Sequence, residues 1–342
     1  MDRRGLTAVV VAAIVAVGCN GRSDAADGSS GPVGSVPATQ VVGNGPSSSV
    51  GTPATTDGPA DRAVGTTEPS CESVEPELTT ASGRRVSFRA DGLSGPAPTI
   101  VVLHGFTNTR VGIERVADLT ESANVAGIAV AYPLGTPTPI GGFGWNSGAR
   151  AFATTAGDDV AALADMLAVL EATGCVDRDR VVITGESNGG GMTLAALCDA
   201  RLAGRFRSAV MVVPAVDDGV LDRCGTDVDT TATLVAVVGL LDELAVFEGG
   251  NGLLPQLEWF ERVAMSRGCA DVDVAVPVTG FVDRYRASGC DACTELIAVA
   301  DGPHTWPGST QSNGDLVPGT FDLNRRIIDD LLAPEPECLS ER

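Results

Sequence analysis

Between residues 71 and 342, short runs of β-branched and aliphatic side chains recur between longer stretches where apolar residues return every third or fourth position. The runs at 99–103, 128–131, 181–184, 208–213, 233–238 and 296–300 are apolar almost throughout rather than alternating. That is the pattern of parallel strands covered on both faces. The stretch 158–172 places Val160, Leu163, Leu167 and Leu170 on one helical face, and 192–200 and 321–332 read as further helices. Strands alternating with helices predict an α/β fold, a mostly parallel doubly wound sheet with helices on both faces. No internal repeat is visible, and about 270 residues need no second domain.

The pattern changes before residue 71. Asp2, Arg3 and Arg4 precede an apolar run over 6–17 that ends at Gly18 and Cys19, the layout of an export signal. A membrane-spanning helix needs about 20 apolar residues, so this run is short for a permanent span. Ala16, Val17, Gly18 and Cys19 resemble a bacterial lipoprotein cleavage box, which implies that Cys19 carries lipid. Residues 20–70 are mostly Gly, Ser, Pro, Thr and Ala and have too few large apolar side chains to offset the entropy of ordering. They read as a flexible tether with an r.m.s. reach of about 40 Å. The expected organisation is a signal with lipidated Cys at 1–19, a linker at 20–70 and one catalytic domain at 71–342. The expected location is the outer side of a bacterial cell membrane, held by lipid, or the medium.

Composition narrows the function. The chain has 23 basic residues, all Arg, against 44 acidic ones, a formal charge of −21 that repels a phosphate backbone and excludes nucleic acid as an expected partner. Of the nine cysteines, all but Cys19 lie between Cys71 and Cys338, an even number that reads as disulfides in an oxidising compartment. Cys71 and Cys338, near the two ends of the domain, are expected to staple it. Cys290 and Cys293 form a C-x-x-C without the strand-to-helix setting of a redox motif, so a structural bridge is the expectation. The pairs Asp227 with Asp229 and Asp271 with Asp273 match no calcium loop and read as solvated acidic surface.

The chemistry is concentrated after the run at 181–184, where Gly185, Glu186, Ser187, Asn188 and Gly189 fit G-x-S-x-G between a strand and a helix. In that setting the pattern is a nucleophile elbow: the glycines permit a sharp turn that leaves the serine oxygen exposed at the strand's end. A serine hydroxyl is a weak nucleophile until a base takes its proton, and that base must be oriented by a carboxylate. The chain has two histidines, His104 and His304, and only His304 follows Ser187, as the chain order Ser, acid, His requires. Asp242 lies just past the carboxyl end of the strand at 233–238, where such sites are built, with Glu243 and Asp222 as rivals for the acid. His104 follows the strand at 99–103 and belongs to an oxyanion loop. The expected oxyanion donors are the backbone N–H groups of Phe106 and Asn188, with Thr107 as the alternative to Phe106. Trp145 and Trp306 sit in loops expected near the mouth, where they would either stack on an aromatic acid or sugar ring or pack internally.

Taken together, these residues resemble secreted esterases of the feruloyl esterase and polyhydroxybutyrate depolymerase type, which overlap with acetyl xylan esterases. The resemblance runs from about Arg85 to Leu332 and rests on ordered motifs. They are His104-Gly105 after a strand; Gly144, Trp145, Asn146; Asp158, Asp159, Val160; Asp177 to Val181 leading into Gly185 to Gly190; Gly268-Cys269; and His304 to Gly308. Where this chain has Val238, Gly239, Leu240, Leu241, Asp242, the family often has His-Gly-Thr-x-Asp. The resemblance implies an α/β-hydrolase with Ser187, Asp242 and His304 as its triad, no metal and no cofactor. The expected function is an exported serine esterase acting on carboxylic esters of the feruloyl, acetyl-polysaccharide or hydroxybutyrate kind through an acyl-enzyme. Acyl transfer to a cell-envelope hydroxyl and a catalytically silent surface binding protein are the alternatives.

Overall fold

The computed structural model describes residues 71, 74–152, 154, 157–226, 228–279, 282–309 and 321–332. All lie in the unit Thr67–Arg342. The expected signal and lipid site at 1–19, the tether at 20–70, Asp227 and Cys338 fall outside the described residues.

In chain order the elements begin with β1 (Glu77–Thr79), β2 (Arg85–Arg89), β3 (Ala97–Leu103), α1 (Arg110–Ala117), α2 (Thr120–Val125) and β4 (Ala129–Pro133). Next come β5 (Thr136–Pro137), β6 (Phe143–Gly144), α3 (Asp159–Ala172), β7 (Val176–Glu186), α4 (Asn188–Leu197), β8 (Ser208–Val212) and α5 (Asp218–Cys224). The chain continues through β9 (Thr233–Gly239), α6 (Gln256–Ser266), β10 (Asp271–Thr279), β11 (Val282–Ser288), β12 (Thr294–Val299) and α7 (Leu323–Leu332). Among the described residues ten strands form one sheet in the order β1-β2-β4-β3-β7-β8-β9-β12-β11-β10, with β5 and β6 paired apart. The run from β4 to β12 is parallel, while β1, β2, β10 and β11 pair antiparallel at the two edges.

Period-two alternation sends each strand's side chains to two separate cores. Val101, Leu103, Ile183, Ala209, Met211, Leu234 and Ala236 pack with buried residues of α3, α4, α5 and α6. Their neighbours Ile100, Val102, Val182, Val210, Val212, Val235 and Val237 pack with residues of α1, α2 and α7. Both faces are covered, which is why the parallel strands read as unbroken apolar runs. In α3, Val160, Leu163, Leu167 and Leu170 are all buried, and Asp158 caps the helix by accepting the Ala161 N–H at 3.0 Å.

The structure departs from the expectations in three places. The strand at 181–184 runs from Val176 to Glu186. The edge strands β1, β2, β10 and β11 carry Glu77, Arg85, Arg89, Asp271 and Arg286, and charged residues on half-solvated edges hide a strand from an apolar count. Cys71 pairs with Cys175 rather than Cys338, because β3 and β7 are adjacent and Ala97 N–H donates to Cys175 O beside the bridge. Cys198 pairs with Cys224, tying α4 to α5. Cys290 pairs with Cys269, and Cys293 is also disulfide-bonded, so the C-x-x-C is structural but is not closed on itself.

Candidate active site

The elbow is formed where β7 passes into α4. Ser187 has φ 55° and ψ −116°, a conformation that side chains with a Cβ rarely take. It is held there by its backbone: its N–H donates to Val212 O at 2.9 Å, and its carbonyl accepts from Gly191 and Ala215, each at 3.0 Å. The turn works only without side chains on either flank. A Cβ on Gly185 would lie 2.4 Å from the Gly189 carbonyl, and one on Gly189 would lie 2.4 Å from Leu103 O. Helix α4 starts directly after the serine, earlier than the expected start near 192, because Gly189 to Gly191 pack at backbone distance against their surroundings despite weak helix propensity.

Asp242 and His304, the expected acid and base, reach the same end of the sheet from adjacent strands. Asp242 follows β9 and is 4% exposed. Its Oδ1 accepts the N–H groups of Leu244 and Ala245, both at 2.8 Å. Its Oδ2 accepts from His304 Nδ1 at 2.7 Å, which leaves Nε2 of a neutral imidazole as the acceptor. The two loops are stitched together: Leu240 N–H donates to Val299 O at 2.9 Å, and Leu241 N–H to Gly302 O at 3.0 Å. The rivals lie elsewhere. Glu243 is exposed, and Asp222 is exposed in an ion pair with Arg150.

His104 is fully buried. Its Nε2 accepts the Gly135 N–H at 3.0 Å, so Nδ1 carries the proton and donates to Gly105 O at 2.8 Å. Burial lowers its pKa from 6.5 to about 4, against the raising effects of that hydrogen bond and of Asp159. The Gly105 carbonyl also accepts from Asn108 N–H at 3.2 Å. Because a trans peptide points its N–H opposite its carbonyl, anchoring Gly105 O sets the direction of the Phe106 N–H. The Asn188 side chain is occupied with Trp145, accepting its N–H at 2.6 Å and donating to its carbonyl at 3.1 Å.

Trp145 and Trp306 are not at a mouth, and the stacking expectation is corrected. Both are 0% exposed. Trp145 Nε1 donates to His104 O at 2.9 Å and Trp306 Nε1 to Asn324 Oδ1 at 2.8 Å, so each indole satisfies its polar edge inside the protein. The half-exposed aromatic surface is instead Phe106 and Phe152, with ring centroids 5.1 Å apart. Phe152 belongs to a small apolar group with Ala151, Ala215, Ala245 and Leu253. That group borders the site, since Ala215 and Ala245 are the residues bonded to Ser187 O and Asp242 Oδ1.

One residue that sequence reasoning quoted but gave no role is Asp159. It is fully buried; Oδ1 accepts from Arg84 Nη2 at 2.5 Å and Thr136 Oγ1 at 2.6 Å, and Oδ2 from Asn146 N–H at 2.7 Å. It therefore fastens the loop at Asn146 to Arg84 and Thr136. Its signal was an acidic residue directly after an N-cap, where surface charge is the usual reading. Among the described residues no group of three or more His, Cys, Asp or Glu is placed to hold a metal ion, and no helix is long and apolar enough to cross a membrane.

The mostly parallel sheet with helices on both faces, and the strand-to-helix turn at Ser187, define the α/β-hydrolase fold. Residues 115–228 match the Prolyl oligopeptidase family model. Within the class, the chain is similar to feruloyl esterases. It is 31% identical over 163 residues to the probable feruloyl esterase C of Aspergillus terreus, covering 47% of this chain and 54% of the relative. It is 32% identical over 163 residues to the feruloyl esterase C of Emericella nidulans, again covering 47% and 54%. The chain thus spans about half the length of the curated relatives it matches. A solved neighbour is the acetyl xylan esterase from Aspergillus awamori, 16% identical with a TM-score of 0.48, over 65% of this chain and 89% of that one.

Proposed function

We propose that the protein is a serine esterase that hydrolyses carboxylic esters through an acyl-enzyme. The observation that carries the reading is the 2.7 Å bond from His304 Nδ1 to Asp242 Oδ2, at the sheet end where Ser187 turns out of β7. His304 Nε2 takes the Ser187 proton as Oγ attacks the ester carbonyl. The N–H groups of Phe106 and Asn188 receive the tetrahedral oxygen, and Asn188 sits in the first turn of α4, where the helix presents partial positive charge. His304 then protonates the leaving alcohol, and water releases the acyl group by the same steps in reverse.

The relatives' names favour feruloyl esters, and the apolar wall of Phe106 and Phe152 suits an aromatic or branched acyl group. Export through the segment 1–19, with lipid on Cys19 and a tether over 20–70, completes the reading and agrees with the disulfides. Labelling by a fluorophosphonate, lost in Ser187→Ala, tests the nucleophile. A panel of methyl ferulate, acetylated xylan, short nitrophenyl esters and hydroxybutyrate oligomers tests the substrate. Absence of labelling in the wild type would refute the proposal.

A further inference from the structure

Two peptide units orient Asp242, and the same two units are held from behind. Oδ1 accepts the N–H groups of Leu244 and Ala245, both at 2.8 Å. The carbonyls of those peptides belong to Glu243 and Leu244, and both accept from Asn251 Nδ2, at 2.9 and 3.0 Å. A trans peptide points its N–H and its carbonyl in opposite directions, so the carboxylate grips each unit on one side and the amide grips it on the other. The next carbonyl, Ala245 O, accepts from Gln256 Nε2 at 3.2 Å. Gln256 is buried, and its Oε1 accepts from Trp259 Nε1 at 2.8 Å.

A tight turn carries Asn251 to this place. Gly250 N–H donates to Leu253 O at 3.2 Å and Leu253 N–H to Gly250 O at 2.8 Å, and between them Asn251 and Gly252 have φ 53° and 83°. Two central residues at positive φ are what Asn-Gly, Asp-Gly and Gly-Gly all supply. The turn alone would therefore accept Asp or Gly at 251, whereas two carbonyl partners require the NH2 group of Asn. A hydrogen bond to a peptide carbonyl also polarises the N–H of the same unit, so the amide strengthens the two donors facing Asp242 as well as fixing them.

We propose that Asn251 is a positioning residue for Asp242. By holding the peptides 243–244 and 244–245 it keeps their N–H groups on Oδ1, and so keeps Oδ2 in line with His304 Nδ1, 2.7 Å away. The inference rests on the esterase reading. The support matters where the imidazole takes up charge, so it belongs to turnover more than to substrate binding.

Asn251→Gly and Asn251→Asp both keep the turn and remove the donor, and the position is exposed, so folding is spared. We expect each to lower kcat about tenfold with KM nearly unchanged. Full activity in both variants would mean that the turn conformation is all that residue 251 supplies. A loss confined to KM would mean that it acts on the apolar wall through Leu253, and either result overturns the proposal. In an Asp242→Ala background no carboxylate is left to position, so Asn251→Gly should cost less than about twofold. A loss there as large as in the wild type refutes the link to Asp242. Exchange of the His304 Nδ1–H with water in a Ser187→Ala protein gives a readout without turnover. In that background Asn251→Gly should speed the exchange about tenfold, and an unchanged rate refutes the inference. Failure of the esterase reading would show separately, as no Ser187-dependent hydrolysis or labelling.

Discussion

His304 Nδ1 and Asp242 Oδ2 stand 2.7 Å apart across 62 residues of chain, and backbone rather than other side chains holds both ends. Leu244 and Ala245 N–H fix the carboxylate, and Gly302, two residues before the histidine, is bonded to Leu241, one residue before the acid. Asp242→Asn leaves this shape and removes the preference for the Nδ1–H tautomer. It should cost about 10³- to 10⁴-fold in kcat. Glu243→Gln, at an exposed position, should change turnover little, and steady-state kinetics of the two variants compare them directly.

Ser187→Ala should abolish hydrolysis with little change in melting temperature. The backbone bonds of Ser187 to Val212, Gly191 and Ala215 survive the substitution, so folding has small reason to change. Thermal denaturation and ester hydrolysis measured on one preparation check both halves.

Gly239→Ala tests the stitching of the two loops. A Cβ there would lie 2.0 Å from Gly302 O, so the loop bearing His304 must move. Activity should fall by at least about a hundredfold, since small displacements of a catalytic group carry such costs. Fluorophosphonate labelling should slow in proportion.

Stability should depend on pH through His104. Its pKa falls from 6.5 to about 4 on folding because burial disfavours the charged ring. The unfolded chain therefore binds the extra proton first. Its contribution is fully present above about pH 6.5, is lost progressively as pH falls toward 4, and amounts to about 3 kcal/mol. Urea unfolding at pH 7 and pH 4.5 should show that loss in the wild type and a smaller one in His104→Gln, which has no ring to protonate.

The bridge from Cys71 to Cys175 joins residues 104 apart in sequence. Chain-entropy reasoning assigns a loop of that length about 4 to 5 kcal/mol. Replacing both cysteines by serine should lower the urea midpoint accordingly, with less effect on turnover, since the bridge lies at the start of β7 and the elbow at its other end.

Much of this was legible along the chain because the physics is local. Buried parallel strands must be apolar on both sides, so β3, β4, β7, β8, β9 and β12 stand out as runs, and helix periodicity marks α3. The elbow is legible because Gly185 is required by its contact with Gly189 four residues on, although Gly189 itself is required by Leu103 O on the neighbouring strand. Two histidines and a fixed order of chemical roles reduced the candidate base to His304, and the strand end pointed to Asp242, which the structure places 2.7 Å from its ring.

Tertiary structure decided what depends on partners distant in sequence. Cys71 met Cys175 because β3 lies beside β7, a neighbour relation that no cysteine spacing encodes. Trp145 and Trp306 carry loop sequences, yet both are buried because His104 O and Asn324 Oδ1 were brought to their indole N–H groups. Asp159 could be read as surface charge until Arg84, Thr136 and Asn146 closed around it. Local pattern reports what a segment must bury, whereas the pairing of polar groups is fixed only when the sheet order has placed their partners.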